Sequence, residues 1–599
     1  MLTTPVAAPV TYRVAMPDPQ SHEYEIQLDV PALAGRETVD LVFPAWAPGS
    51  YLVRDFVRHV YRLAITDGRG RALPAQRLDK GRWRVETGGR PFCARYRVFA
   101  FEQSVRTSFL DDSHAYWNGT SLFFFVDGEL ARRCRVVVTP PPGARWHVDT
   151  ALEPVRGARR TWVAADFDEL VDAPFEVGLH ARRRFKVGRA RFELALYGRT
   201  NAEVDRLVDV LRRVVAATGK IFGGFPFRRY LFIVHALPVG SGGLEHRASV
   251  TMDITGLSFE DETGYHKFAD LAAHEFFHAW NVKRIRDATL GPFDYTRESY
   301  TRLLWLHEGF TDYLANVIIL RAGVTREKHF WRWIAEDWPK YASRPGRNET
   351  PLSELSFEAW IKLYKPAENH VNRAVSYYEK GLWVGMALDL TLRLRTGGKR
   401  GLPELFRVLW HELDEGARHV AEADVRAAAR AVAGARAGSA AARELDAFFD
   451  RYVNGTDELH LPALWRRAGL SVREQTEWQG DDVDAVRAAR ARAWTGLALQ
   501  PERTTVRNVV PDSPAWRAGL TFNDELVAVD GARVTAATFA KRIADRRPGD
   551  ETRLTYFRRD ELREATLTLA ETPDRKLVLA PDPKANALAK AVRAGWLGI

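Results

Sequence analysis

Residues 268–282 read FADLAAHEFFHAWNV, and this stretch decides how the rest of the chain is interpreted. It carries His274 and His278 four positions apart, with Glu275 directly after the first histidine. On an α-helix this spacing places both imidazoles on one face, about 40° apart in projection, where they can ligate one metal ion. Glu275 lies beside them, where its carboxylate can take a proton from an attacking water. The pattern predicts a zinc site on a buried helix, and the alternative is a core helix with two hydrogen-bonded histidines.

The third ligand of the predicted site is expected in residues 304–313, which read LWLHEGFTDY. Zinc sites in peptidases have three protein ligands and one open position. We predict Glu308 as the third ligand and Asp312, one helical turn later on the same face, as the residue that orients a ligand histidine. His307 is the rival ligand, but neighbouring helix positions point about 100° apart, so only one of the pair can face the metal. A packed or surface histidine is the interpretation that we favour for His307.

The whole chain has 599 residues, which exceeds what one hydrophobic core supports, so we expect several domains. Apolar and polar residues alternate at positions 24–30 and 94–100, which is typical of half-buried antiparallel strands and predicts a β-sandwich over about residues 1–180. From about residue 265 to 450 the sequence is mostly helical, and short strands and turns return near residue 480.

Two local signals refine the middle of the chain. The pattern Thr200-x-x-Glu203 predicts a capping box at the start of a helix that ends near Gly223. The segment RYLFIVHAL, residues 229–237, predicts a short apolar strand.

Composition excludes several classes of protein. Hydrophobic residues make up 46% and charged residues 27% of the chain, which excludes a disordered, collagen-like or coiled-coil protein. The net charge of +10 is spread along the chain, so nucleic acid is not an expected partner. Cys93 and Cys134 are too few for a disulfide scaffold, although one bridge between them stays open. We see neither a signal peptide nor a transmembrane segment, and we expect a cytoplasmic protein, or a secreted or periplasmic one if a leader has been trimmed.

The two zinc-site segments together resemble the glycyl aminopeptidase-type zinc peptidases, which belong to the thermolysin-like gluzincins. Three further segments match that family in order: residues 45–51 (AWAPGSY), 242–246 (GGLEH) and 376–381 (SYYEKG). The resemblance implies a multidomain α+β fold with an N-terminal β-sandwich, a thermolysin-like, mostly helical catalytic domain and a C-terminal PDZ domain. The corresponding boundaries are 1–180 for the β-rich domain, 181–475 for the catalytic domain, 480–585 for the PDZ domain and 586–599 for a C-terminal tail.

The resemblance also implies how the GGLEH segment acts. In related aminopeptidases this segment runs beside the substrate, so Glu245 is the candidate anchor for the free amine of the peptide. Gly242 and Gly243 would let backbone approach the peptide closely. A turn with a solvated Glu245 is the alternative. His246 stands where the broader aminopeptidase motif usually has Asn.

A tyrosine before Glu-Lys-Gly resembles the residue that stabilises the oxyanion in related enzymes. Alignment on these three residues identifies Tyr378 as the candidate, because a phenol can donate to developing negative charge. Tyr377 is the better candidate for a tyrosine packed in the core. Arg284 and Arg286, just after the zinc-site helix, could contact a substrate carboxylate, but we favour a structural role.

Residues 506–531 are similar to a bacterial-type PDZ domain, with Ser-Pro-Ala, Ala-Gly-Leu and Asp-Gly in the expected order. The carboxylate-binding loop of such a domain would be Thr495, Gly496 and Leu497. PDZ domains bind extended peptides by strand addition, so a C-terminal peptide is an expected partner. The chain's own apolar tail, residues 594–599, could fill that groove, but we favour a tail packed on the catalytic domain.

The sequence therefore predicts a zinc-dependent aminopeptidase that holds one zinc ion. Its substrates would be peptides with a small N-terminal residue, Gly or Ala, a preference that the resemblance alone implies. Three alternatives stay open: a PDZ-guided endopeptidase of the same chemistry, a catalytically inert PDZ scaffold, and a different hydrolase, such as an epoxide hydrolase, that uses the same metal site.

Overall fold

The computed structural model describes residues 7–474, 493–573 and 577–598. These residues form two compact units. The first comprises the chain up to Thr301 together with Leu314–Thr325 and Pro403–Ala428. The second comprises Arg302–Tyr313, Arg326–Leu402 and the chain from Ala429 onward.

The N-terminal part of the first unit is built from three antiparallel or mixed sheets. Their strand orders are β13-β14-β11-β1-β2-β7-β4, β10-β3-β6-β5 and β12-β15-β9-β8, with the bounds that follow. The strands are β1 (Val10–Ala15), β2 (Glu23–Val30), β3 (Thr38–Val42), β4 (Val60–Asp67), β5 (Ala75–Arg77), β6 (Arg82–Glu86), β7 (Phe92–Phe99), β8 (Ser108–Leu110), β9 (His114–Trp117), β10 (Phe125–Val126), β11 (Cys134–Thr139), β12 (His147–Thr150), β13 (Glu153–Pro154), β14 (Thr161–Ala164) and β15 (Phe175–Gly178).

Alternation along the sequence explains how these sheets bury one face. Tyr24, Ile26, Leu28 and Val30 on β2 are each at most 2% exposed, and the residues between them are half-buried. Strand β7 repeats the pattern, so the predicted β-rich N-terminal domain is confirmed. Both cysteines are free thiols, which excludes the bridge that the sequence left open.

A five-stranded sheet completes the first unit, in the order β16-β17-β18-β20-β19. Its strands are β16 (Ala181–Val187), β17 (Ala190–Gly198), β18 (Arg229–Leu237), β19 (Ser241–Glu245) and β20 (Ser249–Thr255). Because β19 is the last strand in this order, it is an edge strand that pairs with β20 alone in the described chain.

The first long helix begins later than its predicted cap. The helix spans Val204–Phe222, its N-cap residue is Glu203, and no side chain caps it. The hydroxyl of Thr200 instead donates to the carbonyl of Gly256, so the predicted capping box was wrong. The predicted end near Gly223 is correct, since this residue adopts the left-handed conformation with φ +78° that favours glycine.

The remaining chain is mostly helical as far as residue 467, which confirms the predicted helical middle region. The helices of the whole chain are α1 (Phe167–Val171), α2 (Val204–Phe222), α3 (Glu262–Phe277), α4 (Phe310–Arg321), α5 (Glu327–Ala342), α6 (Leu352–Phe357), α7 (His370–Arg373), α8 (Tyr377–Arg395), α9 (Leu402–Glu412), α10 (Glu422–Ala433), α11 (Ala440–Tyr452), α12 (Leu461–Arg467), α13 (Pro514–Arg517), α14 (Ala536–Ala544) and α15 (Ala587–Leu597). None of the described helices is both long and apolar enough to cross a membrane.

The C-terminal PDZ module lies between two strands that pair with each other, β21 (Leu470–Glu474) and β30 (Leu577–Pro581). Its own strands are β22 (Ala493–Trp494), β23 (Leu497–Leu499), β24 (Val506–Val509), β25 (Glu525–Val529), β26 (Ala532–Arg533), β27 (Glu551–Arg558), β28 (Glu561–Thr568) and β29 (Ala570–Glu571). The predicted start of this domain, residue 480, lies outside the described residues. Near its predicted end, residues 577–581 leave the PDZ sheets and pair with β21 instead.

The C-terminal helix α15 packs within the helical part of the second unit. The indole Nε1 of Trp596 donates to the hydroxyl of Tyr313 over 2.7 Å, and Trp596 is fully buried. The guanidinium of Arg393 donates to the carbonyl of Gly595 over 2.7 Å. The tail thus takes the packed position that we favoured, and it does not fill the groove of its own PDZ domain; Ile599 lies outside the described residues.

Candidate active site

The two predicted metal ligands of the HEFFH segment sit where α3 ends. Helix α3 runs to Phe277, so His274 lies in its last turn and His278 is its C-cap residue. The Nδ1 of His278 donates to the carbonyl of Asn281 over 2.6 Å, and its Nε2 lies 2.9 Å from the Nε2 of His274. Because Nδ1 carries the proton, Nε2 presents a lone pair, which is the state that a metal requires. The histidine pair therefore fits a zinc ion.

Glu308, the predicted third ligand, lies in a π-helical turn, Trp305–Gly309, and is 2% exposed. His274, His278 and Glu308 form one of two groups in the described chain that could hold a metal ion; within each group the ligand atoms lie within 4.8 Å of one another. His307 is fully buried and belongs to neither group, which agrees with a packed histidine. Asp312 is half-buried on α4, and its role in orienting a ligand histidine stays a prediction.

Glu275 lies under the edge strand β19. A Cβ atom built on Gly243 would stand 2.1 Å from the Oε1 of Glu275, so only glycine fits at this position. The sequence suggested that this glycine admits the substrate backbone, whereas the structure places the carboxylate of Glu275 against it. Gly242 faces open space and adopts φ +120°, a backbone conformation that other residues rarely adopt.

Glu245 ends the same strand and is 4% exposed. Within the described part of the chain its carboxylate forms no hydrogen bond or ion pair, although the ammonium of Lys283, which lines the same cavity, acts on it electrostatically. Gly49 crowds it from the N-terminal domain, because a Cβ on Gly49 would stand 2.7 Å from both carboxylate oxygens. Glu245 lines a cavity of about 410 Å³ that is also walled by Trp46, Tyr51 and Tyr295.

His246, which stands where the broader aminopeptidase motif usually has Asn, faces Asp172. The Nδ1 of His246 lies 3.4 Å from Oδ1 of Asp172, and the ammonium of Lys283 donates to the same oxygen over 2.8 Å. Burial alone would raise the pKa of Asp172, but Lys283 and His246 outweigh it and hold that pKa well below its usual range. Asp172 is therefore a charged anchor for the end of the GGLEH segment, a role that nothing in the sequence indicated.

Arg284 has the structural role that we favoured. It is 7% exposed, and its guanidinium donates to the carbonyls of Ala279 and Arg247. Arg286 instead lines the cavity beside Glu245.

Tyr377 and Tyr378 begin helix α8, which packs on the π-helical turn that carries Glu308. Tyr377 is 1% exposed, as expected of a core tyrosine, and Tyr378 is half-buried. The two elements meet at glycines: a Cβ on Gly309 would stand 2.5 Å from the Cα of Gly381. The glycines of the HEG and EKG triplets thus bring the predicted oxyanion donor and the predicted third ligand into adjacent elements.

The predicted PDZ carboxylate loop is tightly braced. Gly496 adopts φ +85°, and a Cβ there would stand 2.1 Å from the hydroxyl of Ser513. The backbone amide of Leu497 donates to the hydroxyl of Thr495 over 3.1 Å. Strand β23 follows at once and pairs with β24 alone in the described chain, so its other edge forms no strand pairing there.

Two features of the site could not have been found in the sequence. The carbonyl of Asn281 accepts a hydrogen bond from Nδ1 of His278 and so determines which ring nitrogen is protonated. Because this carbonyl belongs to the backbone, the residue type at position 281 does not reveal its role. The contact between Gly49 and Glu245 joins positions almost two hundred residues apart, and the sequence marked the first of them only through the family match of residues 45–51.

Comparison with known families agrees with this architecture along the chain. The profile described as Peptidase M61 N-terminal domain matches residues 11–179, and the one described as M61 glycyl aminopeptidase matches residues 267–384. A PDZ domain profile matches residues 469–569.

Individual relatives cover the chain to different extents. An aminopeptidase N family protein from Idiomarina loihiensis is similar with a TM-score of 0.88 and 28% identity, over 97% of this chain and all of that chain. An M1 zinc metallopeptidase from Deinococcus radiodurans gives a TM-score of 0.45 and 15% identity, over 76% of this chain and 95% of that chain. A probable periplasmic serine endoprotease DegP-like protein from Halomonas elongata is 28% identical over 123 residues, or 18% of this chain. The chain spans 26% of that relative's length.

The three profiles match in the order that the sequence motifs predicted: the N-terminal domain, the catalytic domain and the PDZ domain. The M61 glycyl aminopeptidase match contains the histidine pair and Glu308. The chain thus matches the M61 profiles in both its N-terminal and its catalytic region, and it is a zinc metallopeptidase of the aminopeptidase class with a C-terminal PDZ domain.

Proposed function

We propose that the protein removes single residues from the free N-terminus of peptides, with His274, His278 and Glu308 holding one zinc ion. A zinc ion in such a site supplies Lewis-acid polarisation of the scissile carbonyl and an acidic water. The lone pair that His278 presents and the burial of Glu308 support this ligand set. We therefore assign the peptidase activity to residues in or beside four segments: GGLEH (242–246), HEFFH (274–278), HEG (307–309) and EKG (379–381).

The carboxylate of Glu245 is the observation that carries the proposal. It is almost fully buried, has no hydrogen-bond or ion-pair partner in the described chain, and faces a cavity. Lys283 acts on this carboxylate electrostatically but does not pair with it directly, and a peptide's terminal ammonium would supply that direct partner. Such a group restricts cleavage to the first residue, because a substrate with a blocked amine leaves the carboxylate unpaired.

Glu275 is proposed as the general base. Gly243 and Glu245 are two residues apart on β19, so their side-chain directions share one face of the strand, about 7 Å apart along it. The carboxylate of Glu275 occupies the space where Gly243 has no side chain. One amino-acid residue with hydrogen bonds at both ends can bridge this spacing, with its amine at Glu245 and its carbonyl beside Glu275. Glu275 would take the proton of the attacking water and deliver it to the leaving amine.

Tyr378 is proposed to donate its phenolic hydrogen to the oxyanion that develops on the scissile carbonyl. Its half-buried position at the start of α8, next to the turn with Glu308, supports this role. Asp312 is proposed to orient a ligand histidine.

A preference for N-terminal Gly or Ala rests on the match to the glycyl aminopeptidase profile. The cavity beside Glu245, about 410 Å³, is larger than a methyl group needs, so cavity size does not itself impose the preference. Comparing kcat/KM for glycyl, alanyl, leucyl and phenylalanyl amides would test it, with at least about a tenfold advantage for the small residues as the expected result.

The PDZ domain is proposed to bind the C-terminus of a peptide through Thr495, Gly496 and Leu497. A cavity of about 220 Å³ at this loop, lined by Gly496 and Leu497, supports the assignment. The partner would be a peptide with a free C-terminal carboxylate.

The decisive experiment compares free and N-acetylated alanyl peptides with the wild type and the Glu245→Gln and Glu275→Gln variants. We expect the wild type to cleave free peptides alone. Glu275→Gln should lose turnover of all substrates while zinc content stays the same. Glu245→Gln should lose cleavage of free peptides mainly through a raised KM, because it keeps the side-chain shape and removes the charge that holds the ammonium.

Cleavage of acetylated peptides by the wild type would overturn the exopeptidase assignment and favour a PDZ-guided endopeptidase. Glu260→Gln is a suitable control, because this glutamate is exposed and lies outside both the GGLEH segment and the cavity beside Glu245.

A further inference from the structure

A second group of metal-ligating side chains lies outside the peptidase site. His114 on β9, Glu176 on β15 and His235 on β18 are each fully buried, and one ligand atom of each lies within 4.8 Å of the others. Strands β9 and β15 belong to an N-terminal sheet, whereas β18 is in the five-stranded sheet. The cluster therefore lies inside the first unit, where these two sheets pack together.

His235 is oriented as metal-binding histidines usually are. Its Nδ1 lies 2.9 Å from Oδ1 of Asp253, which is directly opposite on β20, and 3.1 Å from the side-chain amide of Gln103. Its Nε2 points at Oε2 of Glu176 over 3.0 Å. A carboxylate behind one ring nitrogen fixes the imidazole and leaves the other nitrogen to face a metal.

His114 has no such partner. Neither of its ring nitrogens forms a hydrogen bond within the described chain, although the ring is fully buried and stacks on Tyr197 at a centroid distance of 3.4 Å. The nearest carboxylate to its Nδ1 is that of Asp111, 3.9 Å away. Buried imidazole nitrogens without partners cost free energy, and a cation would satisfy one of them.

Two further buried atoms in this place have no hydrogen bond. Oε1 of Glu176 and Nδ1 of His180 face each other over 3.7 Å, beyond hydrogen-bonding distance. Nε2 of His180 is engaged by Asp149 over 2.6 Å, and Arg182 contacts the other oxygen of Asp149 over 2.6 Å. His180 and Arg182 thus both bind the carboxylate of Asp149. The carboxylates of Glu176 and Asp253 both face His235 and together bring more negative charge than one imidazolium can balance.

We propose that His114, Glu176 and His235 bind a second zinc ion, separate from the peptidase site, which fixes the N-terminal sheet to the five-stranded sheet. Two imidazoles and one carboxylate form a ligand set that zinc accepts, and the second ring nitrogen of His235 is already oriented by Asp253. Full burial of all three ligands indicates a structural ion that exchanges slowly.

Protonation of His235 is the alternative to a bound zinc ion at this cluster. Burial alone would lower the pKa of His235, but its hydrogen bonds to Asp253 and Glu176 raise that pKa to about 9. A protonated His235 could therefore partly balance the two carboxylates in place of a metal, although it would leave the nitrogens of His114 unpaired. The two alternatives differ in metal content.

The test measures zinc per chain by mass spectrometry of metals in the full-length protein after extensive dialysis. We expect two zinc ions per chain in the wild type. His114→Phe keeps the buried, stacked ring and removes both nitrogens, so it should retain about one ion. The control His147→Gln changes an exposed histidine of the same domain and should retain both.

A second variant keeps the proposal falsifiable if His114→Phe fails to fold. The double variant His274→Ala/His278→Ala removes the peptidase ligands, and it should retain one zinc ion whose X-ray absorption spectrum shows nitrogen and oxygen ligands alone. One zinc per wild-type chain, no zinc in the double variant, or two in a folded His114→Phe protein would each overturn the proposal.

Discussion

Gly243 lies directly against the carboxylate of Glu275. A side chain on Gly243 would collide with it, since a Cβ would stand 2.1 Å from Oε1, 2.2 Å from Cδ and 2.6 Å from Cγ. Strand β19 can therefore cross the proposed general base at van der Waals distance only because this position is glycine. Gly243 thus leaves space for the proposed base, in addition to the backbone approach to a substrate that the sequence suggested.

Gly243→Ala should abolish most of the peptidase activity while zinc stays bound. The methyl group must displace Glu275 or the strand, and a misplacement of about 1 Å in a catalytic group costs roughly 100-fold in rate. Steady-state kinetics and zinc content measured on the same preparation would check this. Gly68→Ala is the matched control, because a Cβ there meets nothing within 4 Å. Full activity of Gly243→Ala would contradict the placement of Glu275 as the base.

Gly309→Ala should weaken both folding and zinc retention. A Cβ on Gly309 would stand 2.5 Å from the Cα of Gly381 and 2.7 Å from the carbonyl oxygen of Tyr377, so helix α8 must move away from the turn that carries Glu308. Overpacking of this kind costs about 1–3 kcal/mol. Thermal unfolding should show a lower Tm, and competition with a chelator should remove zinc faster than from the wild type. An unchanged chelation rate would show that the helix spacing does not hold Glu308 in place.

Sequence periodicity predicted the β-rich and the helical regions because it reports burial directly. The alternation along β2 and the spacing of α2 both match the buried faces in the structure. The start of α2 was predicted wrongly for a physical reason: Thr200 had a competing partner, the carbonyl of Gly256, which lies far along the chain. Local capping signals cannot account for such a contact.

The candidate site likewise contains some residues that the sequence predicts and some contacts that it does not. His274, Glu275 and His278 could be predicted from side-chain type at helical spacing, and Glu308, which the structure groups with the two histidines, from the residue types of the second segment. The carbonyl of Asn281 and the contact of Gly49 with Glu245 depend on tertiary approach of backbone, which residue type alone does not encode. The cytoplasmic location expected from the sequence stays a prediction.

The stability of the protein should rise with pH above 8 because of Lys380. This lysine, two residues after Tyr378, is 2% exposed, and its ammonium donates to the carbonyls of Arg347 and Thr350. Burial lowers its pKa to about 8, although Glu458 acts in the opposite direction. The unfolded chain, with a pKa near 10.5, therefore binds more protons between these values, so unfolding becomes less favourable as pH rises through that window.

Lys380→Met isolates this contribution. From pH 7.5 to 9.5 the unfolding free energy of the wild type should increase by about 2 kcal/mol relative to Lys380→Met. Urea unfolding at both pH values measures the difference. Lys399→Met, which changes an exposed lysine beyond the end of the same helix, should follow the wild type. A constant difference between wild type and Lys380→Met would show that the buried ammonium keeps its ordinary pKa.

The reciprocal amide pair of Asn372 and Asn508 should couple the PDZ module to helix α7. The side-chain amide of Asn372 donates to Oδ1 of Asn508 and to the carbonyl of Val509, each over 2.9 Å, and Asn508 donates back over 3.2 Å. Both side chains are buried, so Asn372→Ala leaves two acceptors and a donor unpaired, at a cost of about 1–3 kcal/mol.

A double-mutant cycle separates this coupling from the cost of each truncation. If the pair holds the module, Asn372→Ala and Asn508→Ala should each lower Tm, and the double variant should lose clearly less stability than the two losses added together. Asn369→Ala, an exposed residue at the start of the same helix, should leave Tm unchanged. Limited proteolysis gives the second measurement: both single variants should be cut faster between the catalytic region and the PDZ module. Additive losses of stability with unchanged proteolysis would mean that the two amides are buried side by side without coupling the module to α7.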